Sequence, residues 1–541
     1  MQVKEKSSWI ERAKTPEEVG VSSKEVQAFV DHCMELNKEL HSFIIIRHGK
    51  IACEAYREPL GREHKHMMYS VSKSFTSTAI GFAVSEGYLT VDTRVIDIFP
   101  ELRGKKPDEY LEEMTVEDLL TMRSGKEVSV FLDRTSDTWL EDIMASRWIS
   151  EPGTEFLYIS ENMYVLCCII HKLCGMSVME YLKPRLFDPL GIEDPFWETC
   201  PKGIEAGGWG LMIKTEDLAK YIYCYSQGGR FNGKQVIPED WVKASVCYHA
   251  DTEAANNDSD SKVGYGYCFW RNGGYENSYR ADGMFCQFGI VFEDLDACFI
   301  STGGEVNEQG MRDVIWEHFP KAFLEENTGE TVEISIPAYE RLPEKSRSAL
   351  EQRLDGKSMK LSKPIAVNIA GYPTSVVPLP ALFMESDKAG NISDLSFRFF
   401  EKECVMTWTE GDEVNSVKIG LDGEYRWDDI VIGKIPYHTC ATGCWNTDSE
   451  LEVHIRCIEV VSERILTFKF NGDNVVMRPS SNPSIGVMAE TLKETVKAVI
   501  KQPLIQSAVT KALPKVVPLI DAVQRGKIKG RYIKSEVDYV S

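Results

Sequence analysis

Ser70 and Lys73 stand three residues apart in Tyr69–Ser77 (YSVSKSFTS), where a helix-like apolar run begins. Serine is a weak nucleophile until a neighbouring group takes its proton. A lysine can do this once burial or a nearby positive charge lowers its pKa. Positions i and i+3 of a helix share a face, so a single turn brings the hydroxyl and the amine together. The positive end of the helix dipole at that turn also favours a developing alkoxide. The spacing alone is common. Ser259 and Lys262 repeat it in NNDSDSK, where no apolar helix follows, and that copy is expected to be a solvated loop. Other routes lack their signatures: there is no Gly-x-Ser-x-Gly elbow, no His-Glu-x-x-His and no Gly-x-x-x-x-Gly-Lys-Ser/Thr loop.

The elements that must hold the pair can be read around it. His41–His48 and Lys50–Tyr56 read as two strands about a Gly49 turn, and 74–88 as a largely buried helix. Thr115 and Thr215 each precede an acidic, then apolar, helical pattern and are predicted N-caps. Cys286–Glu293 and Asp296–Thr302 read as a second hairpin. Composition turns charged and polar near 325–365. Beyond that lie short strands separated by Gly, Asn and Asp, with Val453, Ile455 and Cys457 alternating with polar neighbours. The predicted organisation is a catalytic domain at 1–325, a linker or crossing at 326–364, an all-β module at 365–480 and a basic helical tail at 481–541.

The chain of 541 residues has a net charge of −22, which argues against nucleic acid as a partner. The last 51 residues differ, with ten basic against four acidic side chains, and suggest a peripheral membrane or self-association surface. The 15 cysteines are odd in number and many sit in apolar runs, as reduced, buried thiols would. With no apolar signal core in MQVKEKSSWIERAKTPEE, the expected location is the cytoplasm. His438, Cys440, Cys444, His454 and Cys457 have irregular zinc spacing, so no metal site is expected there.

Met67–Gly87 (MMYSVSKSFTSTAIGFAVSEG) resembles the nucleophile helix of the penicillin-recognising serine hydrolases. That superfamily includes class C β-lactamases, D-Ala-D-Ala peptidases, family VIII esterases and nylon-oligomer (6-aminohexanoate-dimer) hydrolases. Tyr88–Pro100, Met114–Gly125, Glu151–Ile170, Gly208–Lys220 and Arg280–Ile290 resemble further family segments in the expected order. The resemblance covers roughly 15–320 and is nearest in motif to the nylon-oligomer type. It implies an α+β fold: a β-lactamase/transpeptidase-like antiparallel sheet flanked by helices, with a helical lobe and a C-terminal all-β barrel or sandwich.

The resemblance also implies a serine hydrolase that cleaves a small amide or ester through an acyl-serine intermediate, without cofactor. Ser70 would be the nucleophile, Lys73 its base and Tyr158 the second proton carrier. Which of Lys73 and Tyr158 takes the serine proton stays open. The backbone N–H groups of Ser70 and Met284 would form the oxyanion hole. Ser160, Ala281, Asp282 and Gly283 would line the substrate site. The second motif reads Tyr158-Ile159-Ser160, with serine where β-lactamases usually carry asparagine. The third reads Ala281-Asp282-Gly283, without the basic residue that opens it in β-lactamases and peptidases. Cys286 stands where the nylon-oligomer type commonly has glycine. β-Lactamase or D-amino-acid peptidase activity and an inactive binding or scaffold role are the alternatives.

Overall fold

A computed structural model describes residues 10–104, 108–127, 137–256, 258–324, 330–362, 375–376, 392–483 and 528–532. The chain divides into two compact units, Met1–Pro337 and Ala338–Ser541.

In the first unit, helix α1 (Ser23–Glu35) starts at Ser22, whose hydroxyl accepts the Glu25 N–H. Strands β1 (Leu40–Arg47) and β2 (Lys50–Tyr56) follow as an antiparallel hairpin. His48 and Gly49 turn it with φ of 49° and 77°, the left-handed pair that a two-residue type I′ turn needs. Helices α2 (Ser72–Ser85), α3 (Glu161–Cys174) and α4 (Thr215–Ser226) come next. Strands β3 (Ser278–Gly283), β4 (Gln287–Phe292) and β5 (Ala297–Gly303) form a meander, and α5 (Glu308–Ala322) follows. The sheet runs Glu11–Arg12, β2, β1, β5, β4, β3, Trp270–Arg271. It is antiparallel except where Glu11–Arg12 meets β2.

Every residue of β1 is buried, because helices cover both faces. Side chains alternate across a strand. Phe43 and Ile45 therefore join Phe29 of α1 and Phe319 of α5 in one core. Ile44 and Ile46 join Phe75 of α2 and Ile222 of α4 in the other. Full burial of one such phenylalanine stabilises the fold by roughly 1.5–3 kcal/mol.

Thr115 is an N-cap: its hydroxyl accepts the Asp118 N–H and the Asp118 carboxylate accepts its own. Thr215 is not. Lys214 is the N-cap of α4, its N–H bonded to Asp217, and the Thr215 hydroxyl pairs instead with Ser42 Oγ in the sheet at 2.8 Å. The buried hydroxyl partner outweighs the local capping preference.

The SDSK copy also differs from expectation. Ser259–Ser261 is a short 3₁₀ turn with Asp260 and Ser261 buried. Arg280 and Trp316 bond to this turn, so distant partners rather than local pattern set its burial.

In the second unit ten strands form a nearly closed, barrel-like sheet, running from Glu413–Gly420 at one edge to Arg426–Ile432 at the other. A bridge between Gly420 and Thr442 adds a pairing that curls the sheet on itself. Glu403–Glu410 alternates strictly between half-buried and buried residues. Within the span expected to link the domains, Ser358–Ser362 is a strand of this sheet. Ile528–Tyr532, expected as helix, is also a strand, because Ser358–Ser362 and Asn474–Asn482 both offer it backbone partners. The rest of the basic tail from 484 lies outside the described residues. His438 pairs with Asp429 at 2.7 Å, and His454 lies between Glu452 and Glu463. All fifteen cysteines are free thiols. Among the described residues, no single helix is long and apolar enough to cross a membrane.

Gly81 lets α2 pack. A Cβ there would lie 2.3 Å from the Trp241 ring. Alanine gains about 1 kcal/mol of helix propensity over glycine, but an indole has little room to yield in a dense core. Gly81→Ala is expected to lower stability by about 1–3 kcal/mol. A drop in the urea midpoint at unchanged slope would report it, and an unchanged midpoint would show that Trp241 moves freely.

Candidate active site

Ser70 lies in the 3₁₀ turn Tyr69–Val71 that runs into α2. Tyr69, just before it, holds a left-handed φ of 45°, a strained conformation for a bulky residue. Its ring is fixed edge-on against Phe285, 5.1 Å between centroids. The sharp turn leaves Ser70 half-buried while its neighbours are buried.

Lys73 is 1% exposed. Its Nζ donates to Ser70 Oγ at 2.7 Å and to the Gly208 carbonyl at 2.8 Å. Burial pushes the amine down to about 7, while Cys268, Glu161 and Asp282 pull the other way. The same nitrogen lies 4.7 Å from the centre of the Tyr158 ring. Burial raises the Tyr158 phenol above its ordinary value, and a hydrogen bond with Ser70 opposes that rise. The ring is held by Trp270 at 5.5 Å and Tyr265 at 6.1 Å. Lys73, one turn along, and Tyr158, far off in the chain, thus meet at the Ser70 hydroxyl.

The polar residues of α2 fix the surrounding chain. Ser72 Oγ accepts the Leu211 N–H, Thr76 donates to the Gly207 carbonyl and Ser74 donates to Cys268 O. These contacts set the Gly208 carbonyl that receives Lys73. Ser160 begins α3 beside Gly208, where a Cβ would come within 2.7 Å of the Ser160 Cβ.

The third motif ends β3. Ala281 is buried and pairs with Gly289. A Cβ on Gly283 would lie 2.3 Å from Met68 O and 3.2 Å from Val71 N, so this glycine sets the strand directly against the Ser70 turn. Met284 follows, half-buried, and its carbonyl accepts from Gln287. Asp282 is committed to ion pairs, accepting from Arg280 at 2.6 Å and lying 3.6 Å from Arg312. Arg312 also meets Asp258 and Asp260. Glu308 accepts the Phe285 N–H, and burial beside Asp282 raises its pKa well above the carboxylate range.

Glu161 is a further group next to Lys73. Burial pushes its carboxyl up to about 7, opposed by its own backbone N–H and by the Lys73 charge. It follows the second motif directly, the one signal in the sequence that could have found it. Arg312 carries no comparable signal, since its role depends on chain segments some 30 to 54 residues away.

A β-lactamase family model matches residues 27–301, about half the chain. The chain belongs to the β-lactamase family. A 6-aminohexanoate-dimer hydrolase from Paenarthrobacter ureafaciens is 26% identical over 223 residues, covering 38% of this chain and 56% of that protein. Penicillin-binding protein 4 of Amycolatopsis lactamdurans is 32% identical over 198 residues, covering 30% and 50%. A solved penicillin-binding protein homologue from Caulobacter crescentus has 16% identity and a TM-score of 0.48, covering 56% of this chain and 99% of its own. The chain spans about half the length of the curated relatives it matches.

Gly283→Ala is expected to slow fluorophosphonate labelling of Ser70 about 100-fold, since displacements of about 1 Å cost that much in reactivity. Labelling at the wild-type rate in a folded variant would remove Gly283 from the site.

Proposed function

We propose that the first unit is a serine hydrolase that cleaves a small amide or ester through an acyl-serine intermediate. The observation that carries this reading is the 2.7 Å contact between Ser70 Oγ and a lysine amine that burial holds at about 7. A lysine at its ordinary pKa of about 10.4 would be protonated at neutral pH and could accept nothing. Here a large fraction is neutral, and its lone pair is available to the serine.

The geometry supports the following steps. Ser70 Oγ attacks the substrate carbonyl as its proton passes to Lys73. Negative charge develops on the carbonyl oxygen, and the N–H groups of Ser70 and Met284 are assigned to receive it. Preorganised donors of this kind are worth about 3 kcal/mol each. Tyr158 hands a proton to the leaving amine or alcohol, and the proton on Lys73 replaces it. The C–N or C–O bond breaks and leaves an ester on Ser70. Water then attacks that ester by the same route, and the acid departs.

The third motif supports the substrate class. Ala281 offers no cation for a substrate carboxylate, and the nearby Asp282 and Glu308 are acidic. That favours an amide or ester without a carboxylate beside the scissile bond over a β-lactam or a D-Ala-D-Ala peptide. By name, the Paenarthrobacter ureafaciens relative hydrolyses 6-aminohexanoate dimers, and a small amide is the class carried over to this chain.

Ser70→Ala is expected to abolish turnover of p-nitrophenyl acetate, and Tyr158→Phe to lower kcat by about 10²–10⁴-fold. An unchanged kcat in Tyr158→Phe would remove the second motif from the mechanism. Wild-type turnover no faster than that of Ser70→Ala would sink the hydrolase reading.

The pH profile gives a separate check. The active form is neutral Lys73, so kcat/KM should rise with pH through about 7 and level off above it. Lys73→Arg, which stays protonated throughout, should lose the activity. A profile flat from pH 5 to 9 would contradict the lysine's role as base.

A further inference from the structure

On the far face of the sheet, α1 and α5 bring two imidazoles together. His32 Nδ1 lies 3.1 Å from His318 Nε2. Glu317 Oε2 lies 3.8 Å from His32 Nδ1. Among the described residues, this is the one group of three His, Cys, Asp or Glu side chains whose ligand atoms all lie within 4.8 Å of one another. We propose that His32, His318 and Glu317 form a binding site for a divalent transition cation of the zinc type.

The hydrogen-bond pattern supports this assignment. His318 Nδ1 faces Glu25 Oε1 at 2.9 Å. A carboxylate there holds the proton on Nδ1, which leaves the Nε2 lone pair pointing at His32. Metal-binding histidines characteristically donate their second N–H to a carboxylate in this way, which fixes tautomer and ring orientation. Without metal, His32 donates its Nδ1 proton to His318. With metal, His32 carries the proton on Nε2 instead, so both facing nitrogens become ligands and no net proton is released.

The spacing fits as well. Zinc–nitrogen bonds of about 2.0–2.1 Å place two ligands of a tetrahedral ion about 3.3 Å apart. The facing nitrogens already stand close to that, and the carboxylate needs only a small rotamer change. Two imidazoles and one carboxylate select zinc, nickel or copper over calcium and magnesium, which take oxygen ligands. Glu317 is 56% and His32 27% exposed, which gives an ion a path from solvent.

The helices hold the ligands firmly. They run antiparallel, since Cys33 meets Met311 while Val21 pairs with Phe323. Phe29 packs edge-on against the His318 ring. Because α1 and α5 belong to the core opposite the one containing Met68, Val71 and Phe75, the ion would clamp two helices and take no part in chemistry at Ser70.

The test uses the full chain, stripped of metal by a chelator and titrated with Co²⁺, with Zn²⁺ as competitor. The expected result is one ion per chain, with visible d–d bands, no thiolate-to-cobalt charge-transfer band, and displacement by Zn²⁺. His32→Gln and His318→Gln should lose the uptake, and Glu25→Gln should weaken it about 10–100-fold. Circular dichroism melts in chelator verify that each variant folds. If His318→Gln does not, the more exposed His32→Gln carries the test. No uptake by the wild type, uptake unchanged in His32→Gln, or a thiolate band would each overturn the proposal.

Discussion

An ammonium group loses most of its hydration when it is enclosed, and the first unit is organised around that penalty at Lys73. Among the described residues the amine has one carbonyl and one hydroxyl to bond, at Gly208 and Ser70, and no carboxylate in direct contact. A carboxylate bonded to it would restore the charge. Glu161 lies near enough to raise the amine's pKa but not to cancel the burial, and the same burial pushes its own carboxyl up to about 7. Burial limits the charge on both groups while each favours the charged form of the other, so the site avoids both a locked ion pair and a permanently neutral lysine.

The opposite arrangement holds on the other side of the Ser70 turn. There charge is concentrated and paired. Arg280 and Arg312 meet Asp258, Asp260 and Asp282, and Gln287 bonds three carbonyls around the hairpin tip. Buried ion pairs contribute little net stability, because desolvation offsets their attraction. Their value here is geometric. They fix the end of β3, where Gly283 must pass within van der Waals reach of Met68 and Val71. An absent basic residue in the third motif is therefore accompanied by a heavily braced strand.

Much of this was legible in the chain. The β1–β2 hairpin, the buried α2 helix, the Thr115 cap and the alternating strands of the second unit all follow from local periodicity and turn chemistry. The meeting of Ser70, Lys73 and Tyr158 was legible only through the order of several motifs. What escaped was set by distant partners. Thr215 left its cap for Ser42, and Asp260 and Ser261 were buried by Arg280 and Trp316. Ile528–Tyr532 became a strand because two distant strands offered it hydrogen bonds. Ser72 and Ser74 belong to no motif, yet their hydroxyls tie α2 to the segments at 211 and 268.

That late strand has a consequence for biosynthesis. Ile528–Tyr532 lies inside the ten-stranded sheet, between Ser358–Ser362 and Asn474–Asn482, and not at its edge. During translation every other described strand of the second unit leaves the ribosome first. Until residue 532 follows, the sheet has a gap with two unpaired edges, each able to recruit another chain. Among the described residues, the first unit has all its strands by residue 303, and its sheet takes none from this segment. A ribosome that stalled well past residue 337 but before this strand would therefore carry a finished hydrolase-family domain joined to an open, adhesive sheet.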